Sequence, residues 1–177
     1  VIEVSSGGQL NWRGSAGANA YDIQRTESLD GTWRTVATGV SDATVQYRQL
    51  HSDQSVVPGR SYWYRVTARN DAGRSGPSEP FGPVTMTHRT LVDELWSDAR
   101  IFLTEPHLDF RHDRARSFKE DAHGLVGTKG AAVMYRTDGP IVGARVWAFT
   151  STAVEPLAFS VSADGTTFTP ASRRKET

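Results

Sequence analysis

The run Tyr62-Trp63-Tyr64-Arg65-Val66-Thr67-Ala68-Arg69-Asn70 alternates two kinds of side chain without interruption. A period of two is the spacing of a β-strand, in which successive side chains leave on opposite faces. Tyr62, Tyr64, Val66 and Ala68 therefore share one face, and Trp63, Arg65 and Arg69 share the other. A face carrying two tyrosines and a valine has to be covered, and a second sheet is the usual cover for such a strand. The same period recurs elsewhere in the first half of the chain. Leu10-x-Trp12 opens an inward-facing strand, and Tyr21-x-Ile23-x-Arg25 is the next, with Asp22, Gln24 and Thr26 on its other face. Trp33 and Val36 follow Asp30-Gly31, a hairpin dipeptide whose residues tolerate positive φ. Val45 and Tyr47 alternate in a later strand, and Pro58-Gly59 marks the turn that leads into Tyr62.

The rest of the chain also reads as β. Expected strands are residues 100–104, 108–111, 131–136, 143–150, 157–162 and 167–170, with others near Phe118 and Leu125. In the run 144–149, Val146 and Ala148 point one way and Arg145, Trp147 and Phe149 the other, as in a strand buried on both sides or lining a groove. Residues 90–101 are the best helix candidate, with Leu91, Leu95 and Trp96 spaced for one face, and they read equally well as a loop leading into a strand. The Gly- and Pro-rich run from Gly73 to Pro83 contains an edge strand, because proline cannot donate to a central ladder. The texture changes beyond Pro83, which places a junction near residues 84–90 and two modules at 1–86 and 87–177. The linker is short, so the modules are expected to touch at a semi-rigid angle.

The first module resembles the fibronectin type III fold. The residues that carry the resemblance are Leu10-x-Trp12, Tyr21-x-Ile23-x-Arg25, Pro58-Gly59 ahead of Tyr62, the run to Asn70, and Gly73-x-Ser75. The resemblance implies that Tyr62 forms a tyrosine corner, its hydroxyl bonded to backbone a few residues upstream. His51–Ser55 reads as a small insertion before the turn. The outward Trp63, Arg65 and Arg69 read first as cover for a solvent face and second as an aromatic-cation binding strip.

In the second module, Ser162-Ala163-Asp164-Gly165 followed by Phe168 reads as two strands joined at a tight Asp-Gly turn. This hairpin resembles that of galactose-binding-like, discoidin-type jelly-roll modules. Leu91-Val92-Asp93-Glu94-Leu95, Leu108-Asp109-Phe110 and Phe118-x-x-Asp121 resemble, more loosely, accessory modules of bacterial glycoside hydrolases. A jelly roll needs about eight strands, and the second half looks short for one. The missing strands are expected from sequence beyond this stretch, from another chain, or not at all if the sandwich is a smaller one.

Composition narrows function. Residues 1–88 carry eight acidic and eight basic side chains, and residues 89–177 twelve of each, so no basic excess marks a nucleic-acid surface. Cysteine is absent, which removes disulfides and thiolate chemistry. No apolar run approaches the roughly 18 residues of a membrane helix. The sequence opens at Val1 without methionine, and is expected to be part of a longer protein whose targeting segment lies elsewhere. No nucleophile elbow, metalloprotease motif, phosphate loop or dinucleotide fingerprint is present. A glycosidase needs two positioned carboxylates, and none of the acids sits in a recognisable motif.

The resulting expectation is an all-β chain of two sandwich modules with no catalytic residues. It would be an accessory region of a secreted or cell-surface polysaccharide-degrading enzyme, with a fibronectin-like spacer followed by a carbohydrate-binding module. The partners would be a polysaccharide or oligosaccharide and the catalytic domain of the same parent chain, with neither nucleic acid nor membrane. Sugar recognition needs an aromatic platform and planar polar groups. Trp96, Tyr135 and Trp147 are candidate platforms, and Arg145, His107 and Asp109 are candidate polar partners. No cofactor is expected beyond a structural calcium, for which Asp93, Glu94 and Asp121 are candidate ligands. The alternatives are a tandem-sandwich adhesion region that binds protein, and a pair of modules that structurally support a catalytic domain.

Overall fold

A computed structural model describes residues 1, 3–43, 49–95, 97–104, 108–111, 123–128, 130–148 and 157–172. The protein is an all-β chain of short antiparallel sheets. Two compact units separate at Arg136, one of residues 1–136 and one of residues 137–177.

The first 86 residues hold two sheets. The smaller contains β1 (Glu3–Val4), β2 (Gln9–Asn11) and β5 (His51–Ser52) in the order β1-β2-β5. The larger contains β3 (Ala20–Thr26), β4 (Arg34–Val40), β6 (Ser61–Asn70), β7 (Gly73–Pro77) and β8 (Phe81–Thr85). Its order is β4-β3-β6-β7, with β8 also paired to β6. β3 lies antiparallel to β6 along its whole length, from Ala20 opposite Arg69 to Thr26 opposite Trp63. The alternation read from the sequence sets the inner faces. Leu10 and Trp12 from one sheet meet Tyr21, Ile23, Tyr62, Tyr64 and Val66 from the other in one buried cluster, which Val4, Val56 and Met86 complete. The Trp12 and Tyr21 rings lie 5.3 Å apart at a tilt of 53°, a favourable edge-leaning arrangement.

Several local expectations change. The segment His51–Ser55, read as a small insertion, carries a strand. His51 and Ser52 form β5, which pairs with Leu10 and Gln9 of β2 and completes the smaller sheet. Val45 and Tyr47 lie outside the described residues. Asp30-Gly31 does not make a two-residue hairpin. Arg25 is the last β3 residue opposite β4, facing Arg34, and a longer loop between them holds a turn closed by Gly31 N–H to Ser28 O at 3.0 Å. Gly31 is not among the glycines with positive φ. The Tyr62 hydroxyl makes no hydrogen bond to upstream backbone among the described residues; Arg25 instead lies 4.2 Å over its ring.

Beyond Met86 the described elements are small. Among its described residues, the helix candidate at 90–101 contains only a 3₁₀ turn, Asp98–Arg100. The Asp93 carboxylate accepts the Leu95 N–H at 2.8 Å and the Ser97 hydroxyl accepts that of Ala99. Such local side-chain bonds offer the backbone an alternative to helix, and Leu95 adopts φ 58. β9 (Leu103–Thr104) pairs with β12 (Val133–Met134), and β10 (Leu108–Arg111) with β11 (Gly124–Gly127).

In the unit of residues 137–177, β13 (Ser160–Val161) pairs with β14 (Thr169–Pro170). Residues 162–168 connect them, so Asp164-Gly165 is not itself the whole turn. The Asp164 carboxylate accepts the N–H groups of Thr166 and Thr167, both at 2.8 Å, while the Ser162 hydroxyl accepts those of Asp164 and Gly165. Those bonds hold the fully exposed Asp164 carboxyl well below the usual carboxylate range. Residues 143–148 form no strand and are exposed. A strand buried on both faces needs a ladder on each edge, and the described residues provide none there.

Candidate functional site

The proposed sugar-contact residues fall in three places. Tyr135 directly follows β12 and is 36% exposed. Its hydroxyl donates to Asp93 at 2.9 Å. Burial and the bond to that carboxylate push the phenol pKa up. Asp93 is thereby engaged through both oxygens, one on Tyr135 and one on the Leu95 N–H. Trp147 is 41% exposed, and the Arg145 guanidinium carbon stands 6.0 Å from its ring centroid, the outer limit of a cation–π contact. Asp109 lies exposed on β10, opposite Val126 of β11. Trp96 and His107 lie outside the described residues.

The structure thus brings Tyr135 to Asp93, and Arg145 to Trp147. In the second pair the guanidinium stands over the ring of a partly exposed tryptophan. Of the calcium candidates, Asp93 is committed to its turn and to Tyr135, Glu94 is exposed, and Asp121 lies outside the described residues. Among the described residues no three acidic, histidine or cysteine side chains converge as a metal site would require.

The outward strip of the first sandwich is internally occupied. Arg65 lies 4.1 Å over the Trp33 ring and donates through Nε to Gln24 at 2.9 Å. Arg69 and Arg74 sit 3.5 and 3.3 Å from the two oxygens of Asp22, and the Gly39 N–H reaches the same carboxylate at 3.0 Å. These contacts bury Asp22 to 5% exposure, although the alternation puts it on the outer face. Arg65 and Arg69 of the strip are thus engaged by partners within the first sandwich.

A polar network that the sequence reading missed lies inside the sandwich. Arg25 Nη1 meets Asp53 Oδ2 at 2.6 Å. The Tyr64 hydroxyl donates to the same oxygen at 3.0 Å, while Oδ1 accepts the Ser55 N–H and hydroxyl at 2.9 and 2.6 Å. Burial, then the Asp53 charge, drive the Tyr64 phenol far above its ordinary pKa. Burial works to lower Arg25, but the Asp53 and Tyr64 partners outweigh it, and its pKa rises. The signal was available: an arginine at an inward strand position requires a buried acceptor, and Asp53 is the acid in the segment read as an insertion. The Asp53 carboxylate is thus shared by Arg25, Tyr64 and Ser55, with Ser55 at the exposed end of the network.

No family model matches the chain. The chain is similar to part of one solved structure, the twitchin kinase region from C. elegans (Fn31-NL-kin-CRD-Ig26), at 28% identity over 45% of this chain with a TM-score of 0.32. The matched stretch is 13% of that structure's length.

Proposed function

We propose that the chain is a non-catalytic accessory region in which a fibronectin type III-like sandwich acts as spacer and the second half carries a carbohydrate-contacting surface, within a secreted or cell-surface polysaccharide-degrading protein. Two observations support the spacer. The two sheets divide the strands as β1-β2-β5 and β4-β3-β6-β7/β8, and Leu10, Trp12, Tyr21, Ile23, Tyr62, Tyr64 and Val66, among the residues that carried the fibronectin resemblance, are spent on its core. The carbohydrate reading rests on one observation, the partly exposed Trp147 with the Arg145 guanidinium 6.0 Å over its ring. An aromatic ring stacks on the C–H face of a pyranose, and a guanidinium can hold ring hydroxyls or a carboxylate. Tethering by such a contact raises the effective concentration of a linked partner near its substrate.

The test is retention of the full chain on a panel of immobilised polysaccharides. Saturable retention on at least one, reduced about tenfold or more by Trp147→Ala, is the expected result; a tenfold loss corresponds to about 1.4 kcal/mol. No retention on any, or retention indifferent to Trp147 and Arg145, would overturn the carbohydrate reading.

A second reading is favoured by a different observation. Ile141, Val142, Val146, Leu157, Val161 and Phe168 of the second unit are all exposed. Exposed apolar groups mark a protein-binding surface where they join in one contiguous patch. Under that reading the partner is a protein, such as a catalytic domain, and glycans are not retained.

A further inference from the structure

The chain does not leave the first sandwich after β8. The Thr87 N–H donates to Ser6 O at 2.9 Å and the Thr90 N–H to Gly7 O at 3.3 Å. The Ser52 hydroxyl donates to Thr90 O at 3.4 Å. Ten residues further on, Arg100 Nη1 donates to Gln54 Oε1 at 2.8 Å and to Val92 O at 2.6 Å. Residues 87–90 are thus fastened to the β1–β2 turn, and Arg100 to the segment that follows β5. A free linker has no reason to spend backbone donors and a guanidinium in this way.

The seat of this strap is Gly7. It is buried, and a Cβ there would clash with Thr90 Oγ1 and His88 Nε2. The strap therefore lies directly on glycine backbone. The next residue reaches the interior: the Asp53 N–H donates to Gly8 O at 2.9 Å. Gly8 has φ +78, and a Cβ on it would meet Asp53 O at 2.8 Å. A continuous path runs from the strap through Gly7 and Gly8 to Asp53, and so to Arg25 and Tyr64. A buried charged network is strong only while water is kept out.

We propose that residues 87–95 and 97–100 form a latch on the first sandwich. Seated over Gly7, the strap seals the Gly7–Gly8 turn above the Arg25–Asp53–Tyr64 network. Opening of the strap and wetting of the network are then coupled events, and the residues after the last strand of the sandwich belong to its stability and not to a hinge.

Gly7 supplies an internal wedge for testing this. Its φ is not in the positive range, so Gly7→Ala leaves the backbone unstrained and pushes only on the strap. The measurement is native-state hydrogen exchange on the full chain. Gly7→Ala should accelerate exchange of the Asp53 and Ser55 amides about tenfold or more, while amides of the β3–β6 ladder keep their rates, as expected for a sub-global opening. Adding His88→Ala and Thr90→Ala, which removes the side chains that the new methyl meets, should restore slow exchange. Arg100→Met, at an exposed position outside the sandwich, should produce the same pattern from the far end and also speed trypsin cleavage after Arg89. Unchanged exchange at Asp53 and Ser55 in both Gly7→Ala and Arg100→Met, or equal acceleration throughout the β3–β6 ladder, would overturn the latch.

Discussion

Asp53 is the residue on which the first sandwich most depends. It accepts from Arg25, Tyr64 and Ser55 while its own N–H is bound to Gly8. Removing one partner of a buried pair leaves the other charge without compensation, which costs roughly 3–5 kcal/mol. Asp53→Ala should therefore lower stability by about that amount in chemical denaturation, because it strands the Arg25 guanidinium. Tyr64→Phe removes one hydrogen bond to a charged group and should cost about 1.5–3 kcal/mol. If Asp53→Ala proved no more costly than Tyr64→Phe, the network would not be the keystone described. The sequence carried half of this network. Arg25 was placed inward correctly by its period, but its acceptor lies 28 residues away, and no spacing rule links two positions that meet only after two sheets have closed.

The strands show how far a period reads. Where an element is long and one of its faces is buried, as in β3 and β6, alternation alone assigns Tyr21, Ile23, Tyr62, Tyr64 and Val66 to the core. β5 is only two residues long and offers no period, so it passed for an insertion; its identity comes from the register with β2. The dipeptides Asp30-Gly31 and Asp164-Gly165 misled for a related reason. They mark a turn but do not fix how many residues the whole connection takes. β5 also brings a titratable group into the sandwich. His51 is half-buried, and its pKa is lowered by burial, against the opposing pull of Asp53 and Glu94. With the folded pKa below the unfolded value of about 6.5, the unfolded chain binds the proton more readily. The His51 contribution to stability is thus fully present above that value and is lost as pH falls through the folded pKa. Melting temperature followed from pH 7.5 down to 5 should fall less steeply in His51→Gln than in the unaltered chain. Parallel curves would show that His51 is not a source of the pH dependence.

At the scale of the whole chain, buried apolar packing is unevenly distributed among the described residues. Every buried apolar residue among those described belongs to the first 86 residues. A sandwich core is legible because alternation repeats strand after strand, and each repeat supports the others. The second half offered a hairpin motif and scattered aromatics. Of its candidate site, the structure keeps Arg145 beside Trp147 and commits Asp93 to Tyr135 and a turn. Which aromatic stays exposed depends on what packs against it, and composition does not record that. The proposed function therefore assigns the spacer to the half with the buried core and ligand contact to the other. It is tested most directly by incubating the full chain with the polysaccharide panel and measuring, in the same samples, depletion of protein from solution and release of reducing ends. The account predicts saturable depletion on at least one glycan, diminished by Trp147→Ala, with no reducing ends above background. Bond cleavage by this chain, or no depletion on any glycan, would contradict it.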